Sequence, residues 1–473
     1  MYLTELHIHN LKRVESLQLS FADENGNPRQ LTVIIGPNGT AKTTILQAIA
    51  LSLVDQSAAN VLAVDQLPFM RSRHLAQAGE PAVRILTNQA LQHVGDTAFR
   101  GRGYSLEPKS GWIRHEELAG FRFRSPASGR VENGAWMTVE EASPPHASEN
   151  ESFCVGYGVA RSLPDAMQSL SFSQPSVDRL RTLFSSHFRL TALSFANYFS
   201  DVTRYERLVH QALTGVAYLV PGLSGVSLQG TGGVRSARDV QERARFDIQM
   251  GESRVSLPSV AISHGYQSMA AWVSDLIGFA LLENPELETL NDIRGIVLID
   301  EVDAFLHPQW QQHLLPAICK TFPAVQFIVS THSPLLLSAV HPQCIVRLGF
   351  DERTGSVVRV VRDAESGELR PSKGIADVGV ANDPRLLSGS ELFDDYFGVD
   401  GLQPGSHGHQ LHELMTLQAT LARSANPPNS SQLESTPVRS SKKEPSAASI
   451  RKRIKELQKG LESGPSTMGG NTQ

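Results

Sequence analysis

An α/β fold, a mixed sheet flanked by helices, is predicted by two features of this 473-residue sequence. The first is a buried strand, Leu31-Thr32-Val33-Ile34-Ile35, that runs through a glycine turn into a segment with apolar residues at Ile45, Leu46, Ile49 and Leu53, which is helical spacing. The second is a pair of runs rich in β-branched residues, Gly295-Ile296-Val297-Leu298-Ile299 and Val325-Gln326-Phe327-Ile328-Val329. Such runs mark central parallel strands covered on both faces.

The remaining elements follow in chain order. Tyr2 to Ile8 and Leu17 to Phe21 alternate at period two and predict two short strands joined by a turn. Residues 60–250 mix strand-like runs such as 82–86 with Gly/Ser/Pro-rich loops and helical stretches around 176–214, without a heptad repeat. Serine, proline and asparagine dominate 424–445, which predicts a disordered linker. Beyond it Ile450, Ile454, Leu457 and Leu461 line one side of a short Lys/Arg-rich helix. The expected organisation is therefore a head at 1–350, divided into a first lobe (1–60), a helical and irregular insertion (61–250) and a second lobe (251–350). An appendage at 351–423 and a flexible tail at 424–473 follow.

Composition narrows the function classes. With 43 Lys and Arg against 48 Asp and Glu the net charge is −5, which argues against a globally basic nucleic-acid coat and leaves a local basic groove open. Cys154, Cys319 and Cys344 have no paired spacing, so neither a disulfide framework nor a cysteine zinc site is expected. The N-terminus alternates polar and apolar residues, and no stretch reaches about 18 apolar residues, so a cytoplasmic protein that does not span a membrane is predicted.

Gly36-Pro37-Asn38-Gly39-Thr40-Ala41-Lys42-Thr43, followed by Thr44, lies between the buried strand and its helix, the context a phosphate-binding loop requires. Backbone N–H groups there can wrap a polyphosphate. Gly39 permits close approach, Lys42 reaches β/γ oxygens, Thr43 can ligate Mg²⁺, and the helix N-terminus adds partial positive charge. Ala41 stands where the motif has glycine, adding a methyl group and restricting φ. Asp300-Glu301 end the next apolar strand, at the carboxyl edge where open α/β sheets bind ligands. Asp300 suits Mg²⁺ through water, and Glu301 the orientation or deprotonation of an attacking water. His332, in Ser330-Thr331-His332-Ser333-Pro334, ends a further strand at the same edge and can hydrogen-bond the γ-phosphate or water.

With these motifs in order, Ile262-Ser263-His264-Gly265-Tyr266-Gln267-Ser268 resembles the signature motif of the ABC ATPase superfamily. Ser263 and the Gly265 N–H open a helix whose apolar face is Met269, Trp272, Val273, Leu276 and Ile277, so its end can donate to an anion. The bland reading is an N-capped core helix. The resemblance implies a P-loop NTPase of the ABC ATPase head type, with ATP and Mg²⁺ as ligands. It also implies a site completed by a second copy whose Ser263 and Gly265 serve the γ-phosphate of the first, a dimer at least. Asp303 stands where that family has its D-loop and is implied to report one site's state to the other. The family's glutamine loop is not placed: Gln89 and Gln92 both follow a strand-like run.

The Leu3 to Phe21 hairpin resembles the recombination and chromosome-maintenance (RecF/SMC-like) branch rather than transporter subunits. There is neither a coiled-coil arm nor a Cys-x-x-Cys hook, which excludes the long-armed members. Gly156-Tyr157-Gly158-Val159-Ala160-Arg161, Ser263 to Trp272, and Asp300 to Gln312 resemble the ATPases of bacterial anti-phage systems, especially the Septu type that works with a separate HNH nuclease. The resemblance covers roughly 1–350 and implies a nuclease partner. The alternatives are a stand-alone DNA-repair ATPase that clamps DNA and, without support beyond shared motifs, a transporter's ATPase. Residues 351–423 are too few for a Toprim-type nuclease. His407, His409 and His412 have metal-like spacing in a Gly-rich turn and are read as a surface feature rather than a site. The terminal basic helix can dock a nuclease, DNA or RNA, or be a solvated tail. Arg235, Arg238 and Arg245 are placed on one helix face, near phosphate or simply solvated.

Overall fold

The computed structural model describes residues 2–54, 56–63, 83–90, 99–108, 121–124, 129–132, 135–138, 153–161, 163, 174–199, 201–215, 219–228, 237–364, 366, 368–380, 382–397, 414, 417 and 451–457. The alternating N-terminus forms the expected hairpin, β1 (Tyr2–Leu11) against β2 (Val14–Ser20), with Leu6 opposite Leu19. The buried strand and its helix are β3 (Leu31–Ile35) and α1 (Lys42–Leu53). After α2 (Gln56–Ala63) come β4 (Val83–Ala90), β5 (Phe99–Pro108), β6 (Phe121–Arg124), β7 (Gly129–Glu132) and β8 (Ala135–Thr138), which extend the hairpin into an antiparallel sheet ordered β2-β1-β4-β5-β7-β8, with β6 on β5.

A second sheet carries the site. It contains β9 (Cys154–Tyr157), β13 (Gly295–Ile299), β14 (Val325–Ser330), β15 (Ile345–Phe350), β16 (Val357–Arg362) and β17 (Leu369–Pro371) together with β3, in the order β17-β16-β15-β3-β14-β13-β9. From β15 to β9 neighbouring strands are parallel, while β15, β16 and β17 pair antiparallel. The sheet thus runs on past residue 350.

Successive side chains of the parallel strands enter two different cores. Ile34, Ile296, Leu298 and Ile328 pack with Ile45, Leu46 and Ile49 of α1 and with Leu6 and Leu19 of the hairpin. Val33, Ile35, Val297, Ile299, Phe327 and Val329 pack on the other face with Met269, Trp272, Val273 and Leu276 of α7 (His264–Glu283). Both faces are covered, which is why these strands read as continuous apolar runs. The short α3 (Pro175–Asp178) and α4 (Arg181–Phe184) pack into the first core through Val177, Leu183 and Phe184, whereas the second buries Tyr205, Leu208 and Val209 of α5 (Val202–Thr214) and Val240 of α6 (Ala237–Arg243). It is closed by α8 (Pro308–Thr321), α9 (Pro334–Leu337) and α10 (Gly389–Phe397).

A three-stranded antiparallel sheet, β10 (Leu223–Ser227), β11 (Arg245–Met250) and β12 (Ser253–Pro258), precedes α7. It corrects one expectation: Arg245 does not share a helix face with Arg238. Helix α6 ends at Arg243, and Arg245 pairs with Ser227 and Pro258 in the sheet, whose ladder outweighs the helical charge spacing. Arg235, Gln92, the three histidines at 407–412 and the 424–445 linker lie outside the described residues.

Residues 1–397 form one compact unit and 398–473 a second, in which 451–457 are helical. Among the described residues no helix is long and apolar enough to cross a membrane.

Candidate nucleotide-binding site

Two glycines shape the loop between β3 and α1. Gly36 has φ 154°, and a Cβ there would meet the Leu348 carbonyl oxygen at 2.7 Å; Gly39 has φ 81°, and its Cβ would come within 2.8 Å of an Arg13 Nη atom. The Thr40 hydroxyl donates to the Pro37 carbonyl at 2.7 Å and closes the turn. Ala41 caps α1 in the left-handed region, φ 63° and ψ 23°. Ala41 thus holds a conformation that favours glycine, at a cost of about 1–2 kcal/mol for a residue with a Cβ. Lys42, 7 % exposed, folds its ammonium back onto the carbonyls of Gly36 (2.8 Å) and Pro37 (3.1 Å). Burial pushes its pKa down, against the nearby charges of Asp300, Glu301 and Asp303, which push it up.

The acids meet this loop because β13 and β3 flank β14 and end at the same edge. Asp300, 4 % exposed, accepts from the Thr43 hydroxyl at 2.6 Å and from the Ser330 hydroxyl at 2.5 Å. Ser330 in turn accepts the Glu301 N–H at 2.8 Å. Glu301 adopts φ 45°, the left-handed region, which a long side chain rarely occupies. Arg161, 3 % exposed, donates to the carbonyls of Gly158 (2.9 Å), Asp300 (2.5 Å) and Glu301 (2.8 Å). Burial pushes its pKa down to about 10, so the guanidinium stays charged at neutral pH, and the acids favour that charge. His332 is pushed down, first by burial and then by the Lys42 charge, which leaves the imidazole neutral near pH 7.

Loop, acids and His332 line one pocket of about 340 Å³ with Lys12, Arg13, Asn38, Gly39, Ala41, Thr43 and Thr44. Among the described residues no group of three His, Cys, Asp or Glu side chains could hold a metal ion alone. The Thr43 and Asp300 oxygens, 2.6 Å apart, instead suit a small hard cation that completes its shell with water and phosphate oxygens, as Mg²⁺ does.

Ser263 and Gly265 are elsewhere. Ser263 occupies the N-cap position of α7 with φ −64° and ψ 157°, but its hydroxyl makes no capping bond and its side chain is exposed. A serine placed there only to cap its helix would turn that hydroxyl inward. A Cβ at Gly265 would come within 2.8 Å of the Phe305 carbonyl oxygen, so the helix start abuts the turn after the acids. In that turn Asp303 accepts from the Thr331 hydroxyl at 2.5 Å, and Phe305 is 59 % exposed. Neither Ser263 nor Gly265 lines the phosphate-loop pocket.

Helix α7 also buries a carboxyl group. Asp275, 1 % exposed, accepts the Ala192 N–H at 2.9 Å, and burial pushes its pKa up to about 7. An acid raised from about 3.9 when unfolded contributes stability that is complete below about pH 4 and is lost as pH rises through 7. Asp275→Asn keeps the acceptor oxygen, so it is expected to raise Tm by a few degrees at pH 8 and to change it little at pH 4.5. Melting curves at the two pH values check this; an offset that does not vary with pH would exclude the ionisation as its cause.

Lys12, Arg13, Ser330 and the role of Arg161 were not singled out from sequence. A basic pair in the β1–β2 turn was the available signal for the first two. Nothing local marks Ser330 or Arg161 for the acid turn, where their partners are 29 or 30 and 139 or 140 residues away.

The family described as "AAA domain" matches residues 5–66, and that described as "AAA domain, putative AbiEii toxin, Type IV TA system" matches 243–338. The chain is 34 % identical to the Retron Ec83 probable ATPase of Escherichia coli over 139 residues, 29 % of this chain and 23 % of that protein. It is 22 % identical to the Septu protein PtuA of Bacillus mycoides (strain KBAB4) over 429 residues, 89 % of this chain and 50 % of that protein. The chain thus spans half or less of the length of these relatives. An SMC head domain from Thermotoga maritima aligns with 76 % of this chain and 99 % of its own at 13 % identity and a TM-score of 0.39. Phosphate loop, acid strand and signature-like helix stand in one unit; two of its stretches match AAA-domain families, and over most of its own length the chain is similar to the Septu protein PtuA.

Proposed function

We propose that this pocket binds ATP with Mg²⁺ and hydrolyses it, and that two copies close around two nucleotides. In this reading the nucleotide state of the dimer, or of a larger homo-oligomer, controls a separate effector, an HNH-type nuclease in anti-phage defence. One observation carries the reading. Lys42, Thr43, Asp300, Glu301 and His332 converge on one pocket, while Ser263 is exposed and uncapped outside it. That is the division expected of a site needing a second chain.

The geometry supports the following roles. The loop N–H groups and the start of α1 bind the phosphates, and Lys42 exchanges its two carbonyl partners for phosphate oxygens. Magnesium, held by Thr43 and Asp300, would supply charge neutralisation when bound. Ser330 ties one Asp300 oxygen to the Glu301 N–H, so the Asp300 carboxylate and the Glu301 backbone are coupled. Glu301 orients a water and takes its proton; neutral His332 offers an N–H to the phosphate or to that water. Ser263 and the Gly265 N–H of the partner copy complete the anion site, and Asp303, held by Thr331, links the two sites. The AAA-domain matches, the likeness to PtuA and the hairpin leading into the loop support this reading.

ATP turnover by the purified full chain tests it. Lys42→Ala is expected to lower turnover at least about 100-fold, as removal of a phosphate-binding charge does. Ser263→Arg, outside the pocket, is expected to do the same only if a second copy completes the site; wild-type turnover by that variant would sink the two-copy mechanism. Stimulation by DNA without any partner would replace nuclease control with the DNA-clamping alternative.

A further inference from the structure

A second cavity, of about 570 Å³, lies in residues 1–397 at the β15–β16 end of the core sheet, and its walls combine arginine with aliphatic side chains. Its size falls in the range of small-molecule sites. It shares no lining residue with the phosphate-loop pocket.

Arg29, Arg347, Arg359 and Arg362 line it. Arg29 donates to the carbonyls of Gln343 (2.6 Å) and Ser20; Arg347 donates to that of Asp395. Arg359 donates to the Ser372 hydroxyl (2.9 Å) and to the carbonyls of Gly374 (3.1 Å) and Asp377. These hydrogen bonds from the three guanidiniums go to neutral oxygens, which fix their positions, while the charges of Asp23, Asp395 and Asp377 act on them without a direct bond to the carboxylates among the described residues.

The carboxylates of the wall are otherwise engaged. Asp23 accepts the N–H groups of Asn25 (2.9 Å) and Asn27 (2.8 Å), Glu24 accepts from Gln343, and Asp395 accepts from Arg362 and from Asn382 (2.9 Å). Burial foremost pushes Arg29 and Arg347 down, Arg347 to about 10; the like charges of Arg359 and Arg362 add to this, while Cys344 and Asp23 oppose it at Arg29 and Asp395, Tyr396 and Asp394 oppose it at Arg347. Charged arginines kept close together in a partly buried wall are stabilised by an anion, and guanidinium forks match phosphate oxygens. Beside them Val346 and Val361 form a buried apolar wall, while Leu369, Val378 and Val380 stand 43 %, 75 % and 48 % exposed. An occupant would bury apolar surface there as well as meet the arginines.

We propose that this cavity binds a nucleotide-sized phosphate ester, its phosphate on Arg29, Arg347 and Arg359 and its apolar body against the valines, as a second ligand site separate from the phosphate loop. The site does not depend on ATP hydrolysis at the first pocket.

Calorimetric titration of the full chain carrying Lys42→Ala with AMP, GMP, CMP and UMP tests this, because that background weakens the phosphate loop. At least one nucleotide is expected to bind at one per chain, and at least tenfold more tightly than its own nucleoside or inorganic phosphate. Arg347→Gln, Arg359→Gln and the surface change Val378→Glu are each expected to weaken that binding tenfold or more. Val378 is exposed, so Val378→Glu adds a repelling charge without touching the core. The proposal is overturned if none of the four nucleotides binds, if the nucleoside or inorganic phosphate binds as tightly, or if Val378→Glu leaves the affinity unchanged.

Discussion

Glu301→Gln is expected to retain ATP binding while lowering hydrolysis by about 10²–10⁴-fold, the range for loss of a positioned general base. Glutamine preserves the length of the side chain, and the contacts that set this residue are made by its backbone. Its N–H donates to Ser330 and its carbonyl accepts from Arg161, neither of which the substitution touches. What disappears is the carboxylate facing the pocket that holds Lys42, Thr43 and His332. If two copies close around ATP and hydrolysis permits reopening, the variant should also accumulate as an ATP-dependent dimer. Sedimentation with ATP and Mg²⁺ reads this directly. A Glu301→Gln chain that binds ATP and remains monomeric would remove the sandwich from the mechanism, and unchanged turnover would remove Glu301 from the chemistry.

The second large effect is expected at a residue that touches no substrate. Arg161→Met should lower kcat by about 100-fold, the scale of losing one preorganised donor, with the affinity for ATP altered far less. The reason is conformational. Glu301 is held at φ 45°, and a non-glycine residue in such a region costs on the order of 1–3 kcal/mol unless its surroundings over-determine it. Arg161 supplies much of that determination by gripping the consecutive carbonyls of Asp300 and Glu301 in the acid turn and tying them to the Gly158 carbonyl. Methionine fills much of the volume but donates nothing, so the carbonyls lose their partner and the turn can relax, carrying the carboxylate away from the pocket. Arg161→Lys, which keeps the charge but not the fork, should fall between the two. The diagnostic is the split between kcat and KM together with nucleotide binding by equilibrium titration. A fall in binding equal to the fall in turnover would mean that Arg161 supports the fold alone.

These two residues illustrate where sequence reasoning stops. Glu301 is legible because it follows Asp300 at the end of an apolar run, at the sheet edge where ligands bind, and because a phosphate loop precedes it in the chain; alone, the acid pair would read equally as a solvated strand end. Arg161 is quoted easily as part of a glycine-rich stretch, but its task depends on β9 lying beside β13, with Tyr157 in register with Ile299. That adjacency is a sheet-level fact. Similarly, Ala41 is visible in the sequence as a departure from the glycine pattern, whereas only the backbone shows that it adopts the left-handed conformation despite its methyl group.

By itself the sequence determined the local chemistry: a strand, a phosphate loop and a helix at 31–53, an acid pair at 300–301, and a serine opening the helix that begins at His264. Each of these rests on interactions within a few residues, where periodicity and turn stereochemistry dominate. The tertiary structure alone decided which of them share a pocket. It brought Lys42 and Thr43 to Asp300, Glu301 and His332, left Ser263 outside, and moved Arg245 from a helix face into a strand. The physical reason is that strand order and sheet register arise from burying two apolar faces at once, a property of the whole core that no short segment encodes.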